Sequence, residues 1–447
     1  MKLNSQRVNS NAQGFKMLPS QTSIISSETF FRLILAAIIL RIVLMPFFGH
    51  IDVLSEARRI YFWDQAGIYF DDISRNTTSL FQLLFFKITS LFLDNKEMLL
   101  GHDDMANSTA HPAEYFQFVS HTEVFRTLFA LKLPFLVADL ITAWAMFLYC
   151  DRAPGARRAV IFWLFNPITL YAFYIYGRFE SIPIMFCMLA LLALKRRNLL
   201  LAAVMIGLSI NAREMFIFLG PIFVALICSP SCRTYSVLRR VTAVLIIGFA
   251  TAIAVQLISI GSGELDAFGR EVATIASEGR VDYLFKFIVG SFLMFPMIYF
   301  VSLLYAWNTG GSLHEKTLVL FSVVLILFFC FSSHTAYYVS WMMIFPCIFL
   351  SYHKRYFKPM LLLCFTWFVF NLSVTDMGVF TTWLASPWSI NMAGLPNFPA
   401  MYSALGFESV LDLLVFQRLC RTFFCASMLY LLYQMLQTYK YQLTEND

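Results

Sequence analysis

The sequence predicts an all-α fold: a polytopic transmembrane helical bundle of about 12 spans with both termini in the cytoplasm. Three observations predict it. Hydrophobic residues make up 59% of the 447-residue chain and charged residues only 13%, about half the charged share of a soluble domain. The apolar residues come in repeated long runs and mean hydropathy is +0.68, as hydrocarbon-embedded segments require. Lys and Arg collect in alternate short connections between those runs, which is a topology signal rather than a nucleic-acid footprint.

Residues 1–28 are polar and rich in Ser, Asn and Gln. They lack the charged, apolar, small-residue order of a cleavable signal, so they are expected to be a disordered cytosolic tail, with the first helix as an uncleaved anchor. The spans are expected near 29–47, 124–149, 158–176, 181–194, 198–212, 215–229, 241–260, 283–306, 317–333, 336–351, 358–376 and 410–437. The fourth to sixth are short for a core of about 30 Å. Residues 438–447 form a second cytosolic tail, and 29–437 one membrane domain without internal repeats.

Alternate connections carry Arg152/Arg157/Arg158, Lys195/Arg196/Arg197, Arg233/Arg239/Arg240, Lys316, and Lys354/Arg355/Lys358 against only Asp151 and Glu315. The positive-inside rule puts these loops in the cytoplasm. The long segments 48–123, 261–282 and 377–409 are then outside. Within the first, "TSLFQLLFFKITSLFL" (78–93) is interrupted by Gln82 and Lys87 and suits a helix lying in the interface plane. The 48 Phe and 20 Tyr fit lipid-facing and interfacial surfaces. The nine Cys show no metal-binding spacing: Cys228 and Cys232 are the nearest to one, without a paired His. The outer loops hold no Cys, so no disulfide framework is read.

The densest ionisable cluster, "FFGHIDVLSEARRIYFWDQAG" (47–67), directly follows the first apolar run. Asp52, His50 and Asp64 lie there at the expected headgroup level. Arg41 sits inside the preceding run, where a charge is costly and either snorkels or pairs. "NPITLYAFYIYGRFESIP" (166–183) sets Arg178 and Glu180 on a tight outer turn. "SINAREMF" (209–216) gathers Asn211, Arg213 and Glu214 between two short apolar runs. "SSHTAYYVSW" (332–341) puts His334 and Tyr337 at an outer mouth. Each has a blander reading as solvated loop charge, hairpin turn or aromatic belt. The acid pairs Asp71/Asp72 and Asp103/Asp104 are weaker still as sites, although neighbouring carboxylates can hold a divalent cation beside a phosphate. His111 and Glu114 precede the second span, and Asn76 and Asn107 begin N-x-[ST] sequons that matter only in a eukaryotic host.

These stretches resemble the GT-C superfamily of integral-membrane glycosyltransferases, which use polyprenyl-phosphate sugars. "GHID" resembles the family's acid after the first transmembrane helix. Residues 166–183 resemble its N-P…G-Q-x-D-S-I-P stretch, and "SHTAYYVSWMMIFP" (333–346) its H-x-x-Y-x-x-W/L-x-x-P segment. Arg178 stands where the pattern has Gln and Glu180 where it has Asp. The resemblance implies transfer of a sugar, with mannose favoured, from a polyprenyl-phosphate donor to a glycolipid, glycan or protein on the extracytoplasmic face, inverting the anomeric centre. Asp52 is the expected base and Glu180 a second acid. Arg178, Arg213 and His334 are the expected phosphate ligands, supported by His50, Arg41, Asp64 and Tyr337. A phosphate held by several arginines needs no metal, while Asp103 and Asp104 keep Mg²⁺ or Mn²⁺ open. A bacterial inner membrane is favoured over the endoplasmic reticulum by the lack of outer cysteines. The rivals are a twelve-span lipid or solute transporter or flippase, which should show two related six-span halves, and a non-catalytic envelope scaffold that would tolerate loss of Asp52.

Overall fold

The computed structural model describes residues 25–66, 76–94, 96, 112–151, 154–229, 235–261, 288–289, 292–308, 312–332, 334–375 and 382–446. Among these the protein is all-helical apart from a two-residue antiparallel pairing of Ile288–Val289 with Phe292–Leu293. Asp71, Asp72, Asp103, Asp104, Asn107 and His111, and with them the metal candidates, lie outside the described residues.

Helix α1 (Ser27–Phe47) begins at Ser26, whose hydroxyl accepts the Thr29 N–H. Its exposed residues Phe31, Leu35, Ile39 and Val43 recur every four positions, and its buried Ala37, Arg41 and Met45 do the same on the opposite side. That is one lipid-facing stripe and one bundle-facing stripe. Phe48 is extended, and the chain turns at once into α2 (Ile51–Ala66). Asp52, expected in a loop, thus stands in the first turn of a helix, where the dipole favours a carboxylate. The turn is clamped: Gly49 N–H donates to Leu384 O at 3.0 Å, and Tyr115 Oη donates to Gly49 O at 2.5 Å.

Helix α3 (Asn76–Thr89) continues through a 3₁₀ turn, Ser90–Phe92. Leu80, Leu84, Ile88 and Leu91 form its exposed stripe, while Thr78, Gln82, Phe86 and Thr89 are buried. Helix α4 (Pro112–Val119) packs on α2 and ties to it through Arg58 and Glu114 at 2.5 Å. Helix α5 (Val124–Tyr149) carries most of the contacts of the early helices. Then come α6 (Pro154–Leu164) and α7 (Pro167–Leu170), the latter opening at Asn166-Pro167, where the Asn side chain accepts the Ile168 N–H and proline occupies the first helical position. A π-helical turn, Tyr171–Ile175, follows.

Helices α8 (Ser181–Lys195) and α9 (Leu199–Ala212) pack on each other, α8 also on α5 and α9 on α11 (Val237–Gly261). Between α9 and α11 in sequence lies α10 (Leu219–Cys228), after a 3₁₀ turn at Glu214–Phe218. The last elements are α12 (Met294–Asn308), α13 (Leu313–Phe331), a 3₁₀ segment at Ala336–Met342, α14 (Ile344–Tyr352), α15 (Phe357–Val374), the short α16 (Phe398–Ala404) and α17 (Leu413–Asn446).

Among the described residues, six helical stretches are long and apolar enough to cross a membrane: Ser27–Phe47, Val124–Tyr149, Gly155–Ile175, Leu313–Phe331, Lys354–Val374 and Leu413–Tyr439. The protein is a membrane protein on that basis. The apolar helices Ser181–Lys195, Leu199–Ala212, Phe216–Cys228 and Met294–Asn308 are shorter. At 1.5 Å per residue a 15-residue helix covers only about 22 Å, so among the described residues six of the about twelve expected spans are matched by long apolar helices and others by shorter ones.

Candidate active site

The site is built around the turn between the π-helical segment and α8. Tyr176 N–H donates to Tyr171 O at 2.7 Å and Arg178 N–H to Ala172 O at 2.8 Å, so the wider π ring delivers residues 176–180 to the end of α2. Gly177 has φ +84°, and a Cβ there would lie 2.4 Å from Val53 Cγ2 and 3.0 Å from Lys132 Cε. Only glycine suits both the left-handed backbone and the close approach to α2. Lys132, buried in α5, donates through Nζ to Met45 O at 3.0 Å, to Tyr174 O at 2.7 Å and to Phe48 O. One ammonium thereby fastens the end of α1 to the π segment.

Asp52 and Arg178 meet directly: Arg178 Nη1 donates to Asp52 Oδ2 at 2.6 Å. The Asp52 side chain is 33% exposed while that of Arg178 is 6% exposed, so the carboxylate faces the open side. His50 lies against it. The Asp52 N–H donates to His50 Nδ1 at 3.2 Å, the imidazole stacks on the Tyr176 ring at 4.1 Å, and His50 Nε2 is 3.1 Å from Tyr176 Oη. His50 Nδ1 also lies 3.2 Å from Asp52 Oδ2, so the ring contacts both the backbone and the carboxylate of Asp52.

Glu180 sits just before α8, its side chain fully buried between two guanidinium groups. Its Oε1 is 3.8 Å from Arg178 Nε and 3.7 Å from Arg213 Nε, and its Oε2 accepts from Trp341 Nε1 at 2.6 Å. Arg213 leaves the end of α9 in extended conformation and donates to Tyr338 Oη at 2.7 Å. Its guanidinium lies over the rings of Tyr338, Phe179 and Trp341, and that of Arg178 over Phe179 and Tyr337. The result is a chain of alternating charge, Asp52, Arg178, Glu180, Arg213, walled by aromatic faces that favour cations.

Asp52, His50, Arg178, Glu180, Arg213 and Tyr337 therefore come together from separate stretches of sequence. Three expected members stand elsewhere. Asp64 is twelve residues along α2, about 18 Å at 1.5 Å per residue, and 3.8 Å from Lys87. His334 packs edge-on against Phe329 at 4.9 Å and places Nδ1 3.2 Å from Ser332 O. Burial and the neighbouring Arg421 guanidinium push its pKa down to about 3, so it is a neutral ring rather than a cation. Arg41 pairs inside the bundle: Nε donates to Asp139 Oδ2 at 2.7 Å and Nη1 to Leu164 O at 2.7 Å. Asp139 also accepts from Trp163 Nε1 at 2.6 Å and Tyr174 Oη at 2.7 Å.

Tyr338 belongs to the Tyr pair of "SSHTAYYVSW", whereas Lys132, Asp139, Tyr176 and Trp341 had no role assigned from the sequence. Lys132 and Asp139 carried a readable signal, two charges within one apolar run. Asn211 turns out to cap α3, accepting from Thr77 N and Oγ1 at 3.0 Å each. Among the described residues no three His, Cys, Asp or Glu side chains are grouped to hold a metal ion. No family model matches the chain, and no curated protein matches it.

Proposed function

We propose that the protein is a membrane glycosyltransferase of GT-C type. It transfers a sugar, with mannose favoured, from a polyprenyl-phosphate donor to a glycolipid, glycan or protein acceptor on the extracytoplasmic face. The observation that carries this reading is the contact of a solvent-facing carboxylate, Asp52, with a buried guanidinium, Arg178, that has a second guanidinium, Arg213, behind it across Glu180. A lipid phosphate is a leaving group that needs cations, and Arg supplies charge-assisted, planar hydrogen bonds to it.

The chemistry follows from those groups. The acceptor hydroxyl oxygen attacks the anomeric carbon, and the new C–O bond forms as the bond to the phosphate oxygen breaks. The electron pair leaves with the lipid phosphate, facing Arg178 and Arg213, and the hydroxyl proton passes to Asp52. One displacement inverts the centre. Glu180, fully buried, serves by holding the two arginines rather than by touching the sugar. His50 and Tyr176 orient Asp52. The Lys/Arg-rich alternate connections support an orientation with both tails cytoplasmic, in which the site would lie on the outer face.

The transporter reading draws less support. It assigns Arg41 to a translocation path, and that guanidinium is held by Asp139 and by Leu164 O. The deciding experiment incubates purified protein with a radiolabelled polyprenyl-phosphate sugar and a panel of glycan acceptors. Sugar transfer that disappears in Asp52→Asn supports the enzyme. Undiminished transfer in that variant, or lipid movement without transfer, rejects it.

A further inference from the structure

A groove of about 620 Å³ runs between α6 and α15, at the other end of the Gly155–Ile175 stretch from Arg178. On α6, Arg158 is followed on the same face by Ile161, Phe162 and Phe165, spaced i, i+3, i+4 and i+7. On α15, Lys358 is followed by Leu361 at i+3 and Cys364 at i+6. All of these line the groove, and Lys354 joins Arg158 and Lys358 at its basic end. Each helix thus carries a cation one turn beyond an apolar strip.

The basic end is built closely. A Cβ on Gly155 would lie 1.8 Å from Ser351 O, so glycine lets the start of α6 touch the end of α14. Arg158 Nη2 reaches the same Ser351 O at 3.4 Å, while its buried Nε makes no hydrogen bond among the described residues. The apolar part is open: Phe165, Phe357 and Leu361 are 36%, 48% and 48% exposed. Both walls belong to stretches long enough to span a membrane. An apolar surface at that depth faces hydrocarbon, and its cations stand where the span begins, at headgroup level.

We propose that this groove is a binding site for one anionic glycerophospholipid, with its phosphate among Arg158, Lys354 and Lys358 and an acyl chain along Phe162, Phe165, Phe357 and Leu361. The occupant follows from charge complementarity and position. Among the described residues three cations and no acid line the groove, which selects an anionic headgroup over a zwitterionic one. The site is independent of the proposed transfer chemistry and stands or falls separately.

The test uses the full chain in mild detergent with two probes, dioleoyl phosphatidylglycerol and dioleoyl phosphatidylcholine, and reads bound lipid by native mass spectrometry. The wild type should retain phosphatidylglycerol on the order of tenfold better. Arg158→Gln/Lys358→Gln should lose that preference, and Lys87→Gln, distant from the groove, should keep it. A photoreactive phosphatidylglycerol on the wild-type protein should label residues 158–165 and 354–364. This arm remains decisive if the double variant fails to fold. Equal retention of the two lipids, labels confined elsewhere, or an unchanged double variant would overturn the proposal. So would tighter binding of a polyprenyl phosphate, or phosphatidylglycerol binding that appears only after removal of residues 1–24, which would make the chain's own N-terminus the occupant.

Discussion

Arg178 Nη1 donates to Asp52 Oδ2 at 2.6 Å, joining two residues 126 positions apart. The pair is asymmetric, with the acid reaching solvent and the base buried among Phe179, Tyr337 and Glu180. A carboxylate bound to a guanidinium is a weakened base. In a phosphate-donor enzyme the arriving phosphate competes for Arg178, and its binding would release Asp52 to accept a proton. The structure has them in contact, so the proposed reaction requires the donor to part them.

On that basis Asp52→Asn keeps the shape of the site but cannot take the acceptor proton. Sugar transfer should fall by roughly 10²–10⁴-fold, while a labelled polyprenyl phosphate still binds. Arg178→Gln should instead weaken phosphate binding. If both variants lose binding and turnover equally, the assignment of base and phosphate ligand is wrong.

Glu180 is the counter-ion between Arg178 and Arg213, and its side chain is fully buried. Neutralising it as Glu180→Gln leaves two buried guanidinium groups facing each other. Removal of one partner from a buried ion network costs about 3–5 kcal/mol, so thermal unfolding in detergent should show a clear loss of stability. Glu180→Asp keeps the charge and should be milder, failing chiefly to reach Trp341 Nε1. An unaltered midpoint in Glu180→Gln would show that the arginines do not depend on it.

Much of the helical layout was legible because an apolar run is a local property. Segments at 29–47, 124–149 and 181–194 reappear as helices within a residue or two. The length of a span was legible too: the run at 198–212 is short for a crossing, and it forms the 14-residue helix Leu199–Ala212. In the site, the chemical character of Asp52, Arg178 and Arg213 could be read, but not that Glu180 would lie between the arginines, because that depends on α8 and α9 packing side by side. Long-range packing also separates His334 from its expected role as a donor to phosphate. The group that helps suppress its charge, Arg421, is 87 residues away in α17.

Gly177 offers a test of how α2 is positioned. Its φ is +84°, and a methyl group added there would stand only 2.4 Å from Val53 Cγ2. Gly177→Ala therefore introduces left-handed strain of about 1–3 kcal/mol and a clash that pushes Asp52 away from Arg178. Activity should drop together with stability. Val53→Ala removes the clashing methyl, so Gly177→Ala/Val53→Ala should recover part of the loss. No recovery would mean that backbone strain alone accounts for the effect.

His334 gives a pH signature. Its pKa is held near 3 by burial and by Arg421 against an ordinary value of 6.5. The unfolded chain therefore binds the proton more readily than the folded one. Stability from this residue is intact above about pH 6.5 and is lost progressively as pH falls towards 3. His334→Asn removes the titrating group, so between pH 7 and 5 its unfolding midpoint should decline less steeply than that of the wild type. Parallel declines would show that His334 is not held neutral.

The pair Arg41 and Asp139 joins α1 to α5 inside the bundle, and both side chains are fully buried. Asp139 is also bonded by Trp163 and Tyr174, so four elements meet on one carboxylate. Arg41→Met strands that carboxylate, and Asp139→Leu strands the guanidinium. Each should destabilise the protein by about 3–5 kcal/mol. The double variant Arg41→Met/Asp139→Leu removes both charges and leaves two unpaired neutral donors, Trp163 and Tyr174. Its loss should be smaller than the sum of the singles, with sugar transfer retained once the protein is folded. A pathway role predicts the reverse, a double variant that folds well but is inactive, and thermal unfolding paired with the transfer assay distinguishes the two.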